Sequence, residues 1–475
     1  MKLKACLTIV VIFTLFISLG ISEAQTNDTD LRLEPLIRTL KEKGILTNSD
    51  VLKIKEEQKK NDQKALKRET IIPLKLFTKK HLLEINSANK NFTATIRAYF
   101  HFDTRIYDTK SNNANSYDIR RARIEIRGRA YKYIKYRVQL AMAGSPYVRN
   151  CWLDLQYLPW LQVKLGQFKP AFSTQWITRD NNTIFLERAS SNPIYPFFDR
   201  GIAIHGELFS KRITYTIGSF TGAGIERDYS TGDIDDHKDW TGRLFFSPFL
   251  KSDKNWLKGL HFCLEGTWGN ESIATKGYEE RGLRAQDYES KIWIWNKKDI
   301  TIGTRYRYGW EIHWINGPFF ISNENLVTGW TDIGGDNGIS GHTSVNTIYG
   351  GFFLTGERIK LSNNGWSLPT PRNYFNPRNK TWGAFMPCFS YTFTKTSEDL
   401  FKNDIMKGAE EVHTVVLGLT WLWTSMIRWH FNIMYIHANG GTGGIITGHY
   451  SDPNTIGEKY RTNEWMFGIR LKYTM

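Results

Sequence analysis

The chain has 475 residues, 14% of them aromatic and 23% charged, with a formal net charge of +16. The aromatic content excludes a disordered polyelectrolyte, and no stretch beyond the N-terminus is long and apolar enough for a transmembrane helix. A basic chain points to nucleic acid, an anionic surface or anion handling. Here much of the charge lies on strand faces opposite apolar residues, not in tails or helices, which argues against nucleic acid.

Met1 to Ala24 reads as an export signal: Lys2 and Lys4 ahead of an apolar core from Ala5 to Leu19, then the small-x-small site Ser22-Glu23-Ala24. The apolar run is short for a bilayer anchor. Cleavage removes Lys2, Lys4 and Glu23, so +16 becomes +15. Cys6 lies too early for lipid attachment, and the scattered Cys151, Cys263 and Cys388 make neither a disulfide framework nor a zinc site.

Residues 25–91 are polar and charged. Glu34 to Lys43 has helical spacing with Gly44 as a stop. Thr47 or Ser49 is placed to cap a second helix running through Val51, Leu52 and Ile54. The expectation is a short helical periplasmic segment and a basic linker. Its charge run reads either as solvated surface or as an oligomerisation or wall-contact element.

From Phe92 the period becomes two. Ala94, Ile96, Ala98, Phe100 and Phe102 alternate with Thr95, Arg97, Tyr99, His101 and Asp103. In RRARIEIRGR, Arg121, Arg123, Glu125, Arg127 and Arg129 share one face, and Ala122, Ile124, Ile126 and Gly128 the other. A row of arginines facing an apolar row cannot sit in a packed core. It suits a wall with water on one side and lipid on the other. Arg121 to Arg129 spans roughly 26 Å as a strand, against an apolar band of about 25 Å in outer-membrane barrels. The same alternation recurs at Arg305, Arg307, Glu311 and His313 against Tyr306, Tyr308, Trp310 and Ile312. It returns at Arg428, His430 and Asn432, and at Gly468, Arg470 and Lys472. Short turns (Leu158 to Trp160, Asn316-Gly317-Pro318, Thr424 to Met426) alternate with long polar loops. About 380 residues at roughly 24 per strand and connection give an even count near 16. The fold class expected is all-β: a transmembrane antiparallel β-barrel of about 16 strands. Pro387 implies a bulge or a local strand end.

An inward arginine row lowers the barrier to anions, and planar guanidinium groups match oxyanions. The alternative is that the arginines pair with acids such as Glu125 and Asp103 and only stiffen the wall. His313, His430 and His437 lack a second ligand at metal-site spacing. The glycine-rich run from Asn439 to Gly444 lacks the Lys-Ser/Thr of a phosphate loop. No nucleophile motif, catalytic group or cofactor site is legible, so the chain reads as a channel and not an enzyme; the alternative is a surface binding protein or a glycan-active β-protein.

RRARIEIRGR and LQVKLGQFKPAF (Leu161 to Phe172) together resemble the phosphate-selective porin O and P family. FLERA (Phe185 to Ala189), DRGIAIHG (Asp199 to Gly206), IGSFTGAG (Ile217 to Gly224), WTGRLFFSPF (Trp240 to Phe249), FLTGE (Phe353 to Glu357) and FNPRNKTWGAF (Phe375 to Phe385) follow in the family's order. The resemblance implies a 16-stranded outer-membrane barrel over 92–475, embedded in outer-membrane lipid and placed there by the barrel assembly machinery. It implies a homotrimer that carries phosphate, polyphosphate or related small anions along basic residues. On this chain the ladder is Arg121, Arg123, Arg127 and Arg129. Lys164, Arg243, Arg305 and Arg307 join the pathway from other strands. Lys169 sits at the root of an inward constriction loop of about 170–200, whose clearest basic residues are Arg179 and Arg188. Three features depart from the family pattern: the chain ends Tyr473-Thr474-Met475 instead of on an aromatic, Met386 and Ser390 stand where a Glu and an Arg often face inward, and the expected constriction loop holds no compact lysine cluster that would single out phosphate.

Overall fold

The computed structural model describes residues 39–44, 47–69, 74–75, 83–87, 91–191, 193–222, 224, 236–270, 282–296, 300–335, 338–448 and 459–475. The expected export signal and the start of the first expected helix lie outside them. In the N-terminal part, residues 39–42 are helical, and helix α1 spans Asn48–Glu69. Its start carries a reciprocal cap: Thr47 N–H donates to Asp50 Oδ2 at 2.9 Å and Asp50 N–H to Thr47 Oγ1 at 3.3 Å. No helix among the described residues is long and apolar enough to cross a membrane.

Strands do the crossing. They are β1 (Phe92–Tyr107), β2 (Ser116–Ala130), β3 (Ile134–Ala141), β4 (Tyr147–Leu158), β5 (Leu161–Phe168), β6 (Asp199–Leu208), β7 (Ile213–Phe220) and β8 (Asp239–Phe246). The series continues with β9 (Leu260–Asn270), β10 (Thr304–Asn316), β11 (Phe319–Ile333), β12 (Ile339–Phe352), β13 (Ala384–Thr396), β14 (Glu411–Leu422), β15 (Ile427–Asn439) and β16 (Asn463–Thr474). Each pairs antiparallel with the next, and β16 returns to β1 through Arg470↔Asp103 and Tyr473↔Phe100. The barrel is closed, with 16 strands and no free edge.

The alternation read from the sequence is the alternation of the wall. Ile124 is 45% exposed on the outside and its neighbour Glu125 4% on the inside. Tyr133, Tyr157, Trp160, Trp256 and Phe319 are exposed near the short-turn end, and Trp240, Trp268, Tyr391 and Trp465 near the long-loop end. Two aromatic girdles of this kind flank the apolar band of outer-membrane barrels.

Two details depart from strict alternation. The β1–β2 register shifts between His101 and Phe102, which pair with Arg121 and Ile119. Arg120 is the extra residue of a bulge, and such a bulge re-aims side chains. At Pro387 the expected bulge is absent. The β13–β14 register runs through Pro387↔Leu419 without a shift, whereas the β12–β13 ladder stops one residue away at Gly351↔Cys388. Proline has no N–H to give a second neighbour.

Two segments fold into the lumen. One is the β5–β6 connection, 169–198, whose Phe172, Trp176, Ile184, Phe185, Ile194, Tyr195, Phe197 and Phe198 are buried inside the barrel. The other comes from the short-turn end, where the 353–383 connection carries a hairpin of Lys360–Ser362 and Gly365–Ser367. Its Trp366 N–H donates to Thr178 Oγ1 at 2.9 Å, and Trp366 Nε1 to the Tyr349 hydroxyl at 2.8 Å. Gly365 has φ +82, and a Cβ there would lie 2.3 Å from Thr178 Oγ1, so only glycine allows this approach. At the long-loop end, short strands from three loops (Leu283–Arg284 and Lys291–Trp295, Met406–Gly408, Ile445–Thr447 and Lys459–Arg461) join in a second sheet over an edge-to-face cluster of Trp293, Trp295 and Trp330.

Candidate functional site: a charged lumen crossed by one loop

The 169–198 loop is fastened to opposite walls by opposite charges. On the β9–β11 side the wall is acidic. Ser173 Oγ donates to Glu324 Oε2 at 2.7 Å, and Thr174 N–H to Glu311 Oε1 at 2.5 Å. Arg243 lies among these carboxylates, with Nε 2.9 Å from Glu265 Oε2 and Nη2 3.2 Å from Glu311 Oε2. Its Nη1 donates to Asn363 of the inserted hairpin at 2.6 Å. Arg305 pairs with Asp239 at 2.7 Å, and Arg307 donates to the Pro193 carbonyl at 2.8 Å.

On the β16–β1–β2 side the wall is basic and the loop supplies the acids. Glu187 receives Arg121 through two bonds of 3.1 and 2.8 Å, Arg120 at 2.9 Å and Arg470 at 2.6 Å. Asp180 pairs with Arg123 and with Arg188. Burial alone would raise both loop carboxyls, yet these guanidinium groups hold Asp180 and Glu187 well below the usual carboxylate range. Both stay ionised across the physiological range. Lys472 donates to Thr183, and Arg428 to the Asn181 carbonyl.

The basic residues singled out in the sequence therefore divide. Arg121, Arg123, Arg243, Arg305 and Arg307 are buried and engaged with carboxylates or carbonyls. Arg188 and Lys169 brace the loop itself, Arg188 through the carbonyls of Gln175 and Thr178, Lys169 through the Trp176 carbonyl. Burial, and then Arg188, push the Lys169 amine well below the usual lysine range.

Toward the short-turn end the balance changes. Glu125 takes Arg137 at 2.5 Å and has Arg127 at 3.7 Å. Arg97 is its cross-strand partner, and Arg179 comes within electrostatic reach from the loop. Among the described residues, Arg127, Arg137 and Arg179 thus gather at the Glu125 carboxylate, with Arg97 across the strand from it. Arg179 makes no hydrogen bond or ion pair through its side chain among the described residues. It is open to the lumen on one side and enclosed on the others, and burial, then Arg137 and Arg127, lower it to about 10. It stays charged at neutral pH, among like charges. Lys164 lies nearby over the ring of Trp152, 4.2 Å from its centroid, and Arg129 is exposed at the turn.

Arg97, Arg137, Asp180 and Glu187 were not singled out from the sequence as site residues. Arg97 and Arg137 were legible as inward positions by alternation. Asp180 and Glu187 lie in irregular chain, where no period reveals a facing. Beside His313 the fold brings Cys263 and Glu311 within 4.8 Å, a group that spacing alone conceals. Arg243 Nη2 lies 3.2 Å from both Cys263 Sγ and Glu311 Oε2, so a guanidinium already supplies the positive charge there.

The sequence pattern of the phosphate-selective porin O and P family matches residues 92–442. The chain belongs to this family. It is 23% identical over 376 residues to Porin O of Pseudomonas aeruginosa, covering 71% of this chain and 82% of that protein. Among solved structures it is similar to the outer-membrane channel DcaP of Acinetobacter baumannii, at a TM-score of 0.50 and 8% identity over 82% of this chain and 99% of the other. It is also similar to an anion-selective porin from Comamonas acidovorans, at 0.49 and 8% over 81% and 100%. Membership of this family makes the protein an outer-membrane porin, a channel. In this porin the stretches that carry the family resemblance have structural roles: RRARIEIRGR is the basic wall of β2, LQVKLGQF is β5, and FLERA brings Glu187 to that wall.

Proposed function

We propose that this porin carries small anions, phosphate or polyphosphate among them, through a water-filled lumen. The preference is set where Arg97, Arg127, Arg137 and Arg179 surround Glu125. The observation that carries this is three guanidinium groups, Arg127, Arg137 and Arg179, around the Glu125 carboxylate, with Arg179 making no side-chain hydrogen bond or ion pair among the described residues. An uncompensated positive field in a narrow wet pore attracts anions and excludes cations. Guanidinium groups match oxyanions bidentately, and the family's name supports phosphate as cargo. Lys164 and Arg129 flank the cluster. Arg121, Arg123, Arg243, Arg305 and Arg307 also border the lumen, but their fields are largely cancelled by their partners, so in this reading they hold the loop and contribute less to selectivity.

The same reading has the chain exported behind a cleaved signal at Ala24, inserted by the barrel assembly machinery and packed in outer-membrane lipid as a homotrimer. The apolar, aromatic-rimmed outer face supports the lipid contact. The test is the reversal potential in a planar bilayer under a potassium chloride gradient. Arg127→Gln with Arg179→Gln should move it toward the cation side, more than Arg121→Gln does, and phosphate block of chloride current should weaken with it. A reversal potential unchanged in the double variant would remove the cluster from the mechanism.

A further inference from the structure

Two histidines stand side by side on the outer wall, near the long-loop end. His413 of β14 is the cross-strand partner of His437 on β15. Both follow the outward alternation, His413 with Val415 and Leu417, His437 with Tyr435 and Ile433, and both are half-exposed. Directly opposed residues carry their Cβ atoms about 4.5–5.5 Å apart, and the two imidazole centroids are 6.3 Å apart. Spacing along the chain conceals this pair, because it depends on the register of two strands.

Each ring is held by one nitrogen. His437 Nδ1 lies 2.8 Å from Asn463 Oδ1, which also receives the Tyr435 hydroxyl at 2.6 Å. An amide oxygen only accepts, so the His437 proton sits on Nδ1 and Nε2 carries a lone pair. His413 Nδ1 lies 2.8 Å from the Tyr391 hydroxyl, whose oxygen can accept in the same way. Phe393 packs on the His413 ring, with centroids 4.8 Å apart. Neither Nε2 has a hydrogen-bond partner among the described residues. The anchors lie on opposite flanks, Tyr391 on β13 and Asn463 on β16. The two nitrogens of an imidazole lie on opposite sides of its long axis, so both Nε2 atoms turn toward the gap between the rings. An ion that takes two imidazoles at about 2.0–2.1 Å holds their nitrogens roughly 3–4 Å apart, within reach at this ring spacing. A hydrogen bond on the other nitrogen, fixing tautomer and ring, is the usual outer support of a metal-bound histidine.

We propose that His413 and His437 form a binding site for one divalent transition-metal ion of the Ni²⁺, Cu²⁺ and Zn²⁺ class, held by their Nε2 atoms with water completing the coordination. Imidazole suits these ions, whereas Mg²⁺ favours oxygen ligands. Tyr391 and Asn463 hold the rings. The site lies on the outer wall and does not depend on what sets ion selectivity in the lumen.

Calorimetric titration of the untagged full chain in detergent, with Ni²⁺ as the probe and Mg²⁺ as the control, tests this without an ion gradient. One Ni²⁺ should bind per chain, with Mg²⁺ at least tenfold weaker. His413→Asn and His437→Asn should each weaken Ni²⁺ at least tenfold. With Cu²⁺ the electron paramagnetic resonance spectrum should show two coordinated imidazole nitrogens in wild type and at most one in either variant. Heat-dependent gel mobility verifies that each variant is a closed barrel; if one is not, the wild-type Cu²⁺ spectrum decides. Absence of Ni²⁺ binding overturns the proposal. So does Ni²⁺ affinity unchanged in a folded histidine variant, or a wild-type Cu²⁺ spectrum without two imidazole nitrogens.

Discussion

Arg470 clasps Asp103 with both arms of its guanidinium, Nε to Oδ1 at 2.5 Å and Nη2 to Oδ2 at 2.6 Å, across the seam where β16 meets β1. Both side chains are fully buried. The sixteenth strand is therefore locked to the first by a charge pair as well as by the ladder. Arg470→Met should strand the Asp103 carboxylate, with only Arg105 left on it, and cost about 3–5 kcal/mol in urea unfolding from lipid vesicles. Replacing both residues by apolar ones should recover much of that loss. If the double variant is no more stable than Arg470→Met, the seam depends on something other than this pair.

The two faces of β2 should respond unequally. Ile124→Arg puts a charge into lipid and should cost on the order of 2–4 kcal/mol at mid-membrane depth. Arg129→Ile, at an exposed position beside the turn, should be mild. Arg123→Ile should not be mild although it faces water, because Asp180 loses its nearest cation. Equal refolding yields for all three would contradict the facing.

Glu187 is the point where four arginines, Arg105, Arg120, Arg121 and Arg470, meet one loop carboxylate. Glu187→Gln should loosen the loop from β2 and β16. The expected signature is single-channel current that is larger and noisier than wild type, with the barrel still heat-modifiable on gels. Quiet wild-type conductance would mean that Asp180 and the acidic wall hold the loop unaided.

A pH effect is expected at the long-loop end. Burial, despite hydrogen bonds from Ser290, raises the Asp287 carboxyl to about 6, and Glu289 adds to the shift while Arg105 opposes it. A folded value above the unfolded one of about 3.9 means the neutral acid fits the fold better. Local stability is then greatest below about pH 4 and declines as pH rises through about 6. Hydrogen exchange in 282–296 should be faster at pH 7.5 than at pH 4.5 after correction for intrinsic rates, and Asp287→Asn should remove that difference. A pH-independent corrected rate in wild type would discard the idea.

At the C-terminus, Met475 N–H donates to the Ala98 carbonyl at 2.7 Å, extending the seam by one bond. Met475→Phe keeps that bond and adds an aromatic ring at the seam. Assembly yield should be unchanged or higher; a fall would show that methionine is required there.

The sequence carried the wall but not what crosses it. Period two separates Ile124 from Glu125 and Leu471 from Lys472 because every strand residue must choose lipid or water, and that choice is written in residue type. The pairing of Arg121 with Glu187 joins positions 66 apart. It depends on the path of an irregular loop that has no period, so the ladder looked like four equivalent charges. Only Arg127 and Arg129 kept the openness that reading assumed. The bulge at Arg120 was hidden for a related reason: one inserted residue leaves composition unchanged while turning two arginines onto one glutamate.

Trp366 and Thr178 meet in the lumen although their segments enter from opposite ends of the barrel. In an outer-membrane barrel the long loops face the outside world and the short turns face the periplasm. External loops tolerate change more readily than the elements they connect, whereas the hairpin that props the inserted loop enters from the opposite side. Changes at the outer surface can therefore leave the support of the inserted loop untouched, and changes in the hairpin can shift that loop without altering the outer surface.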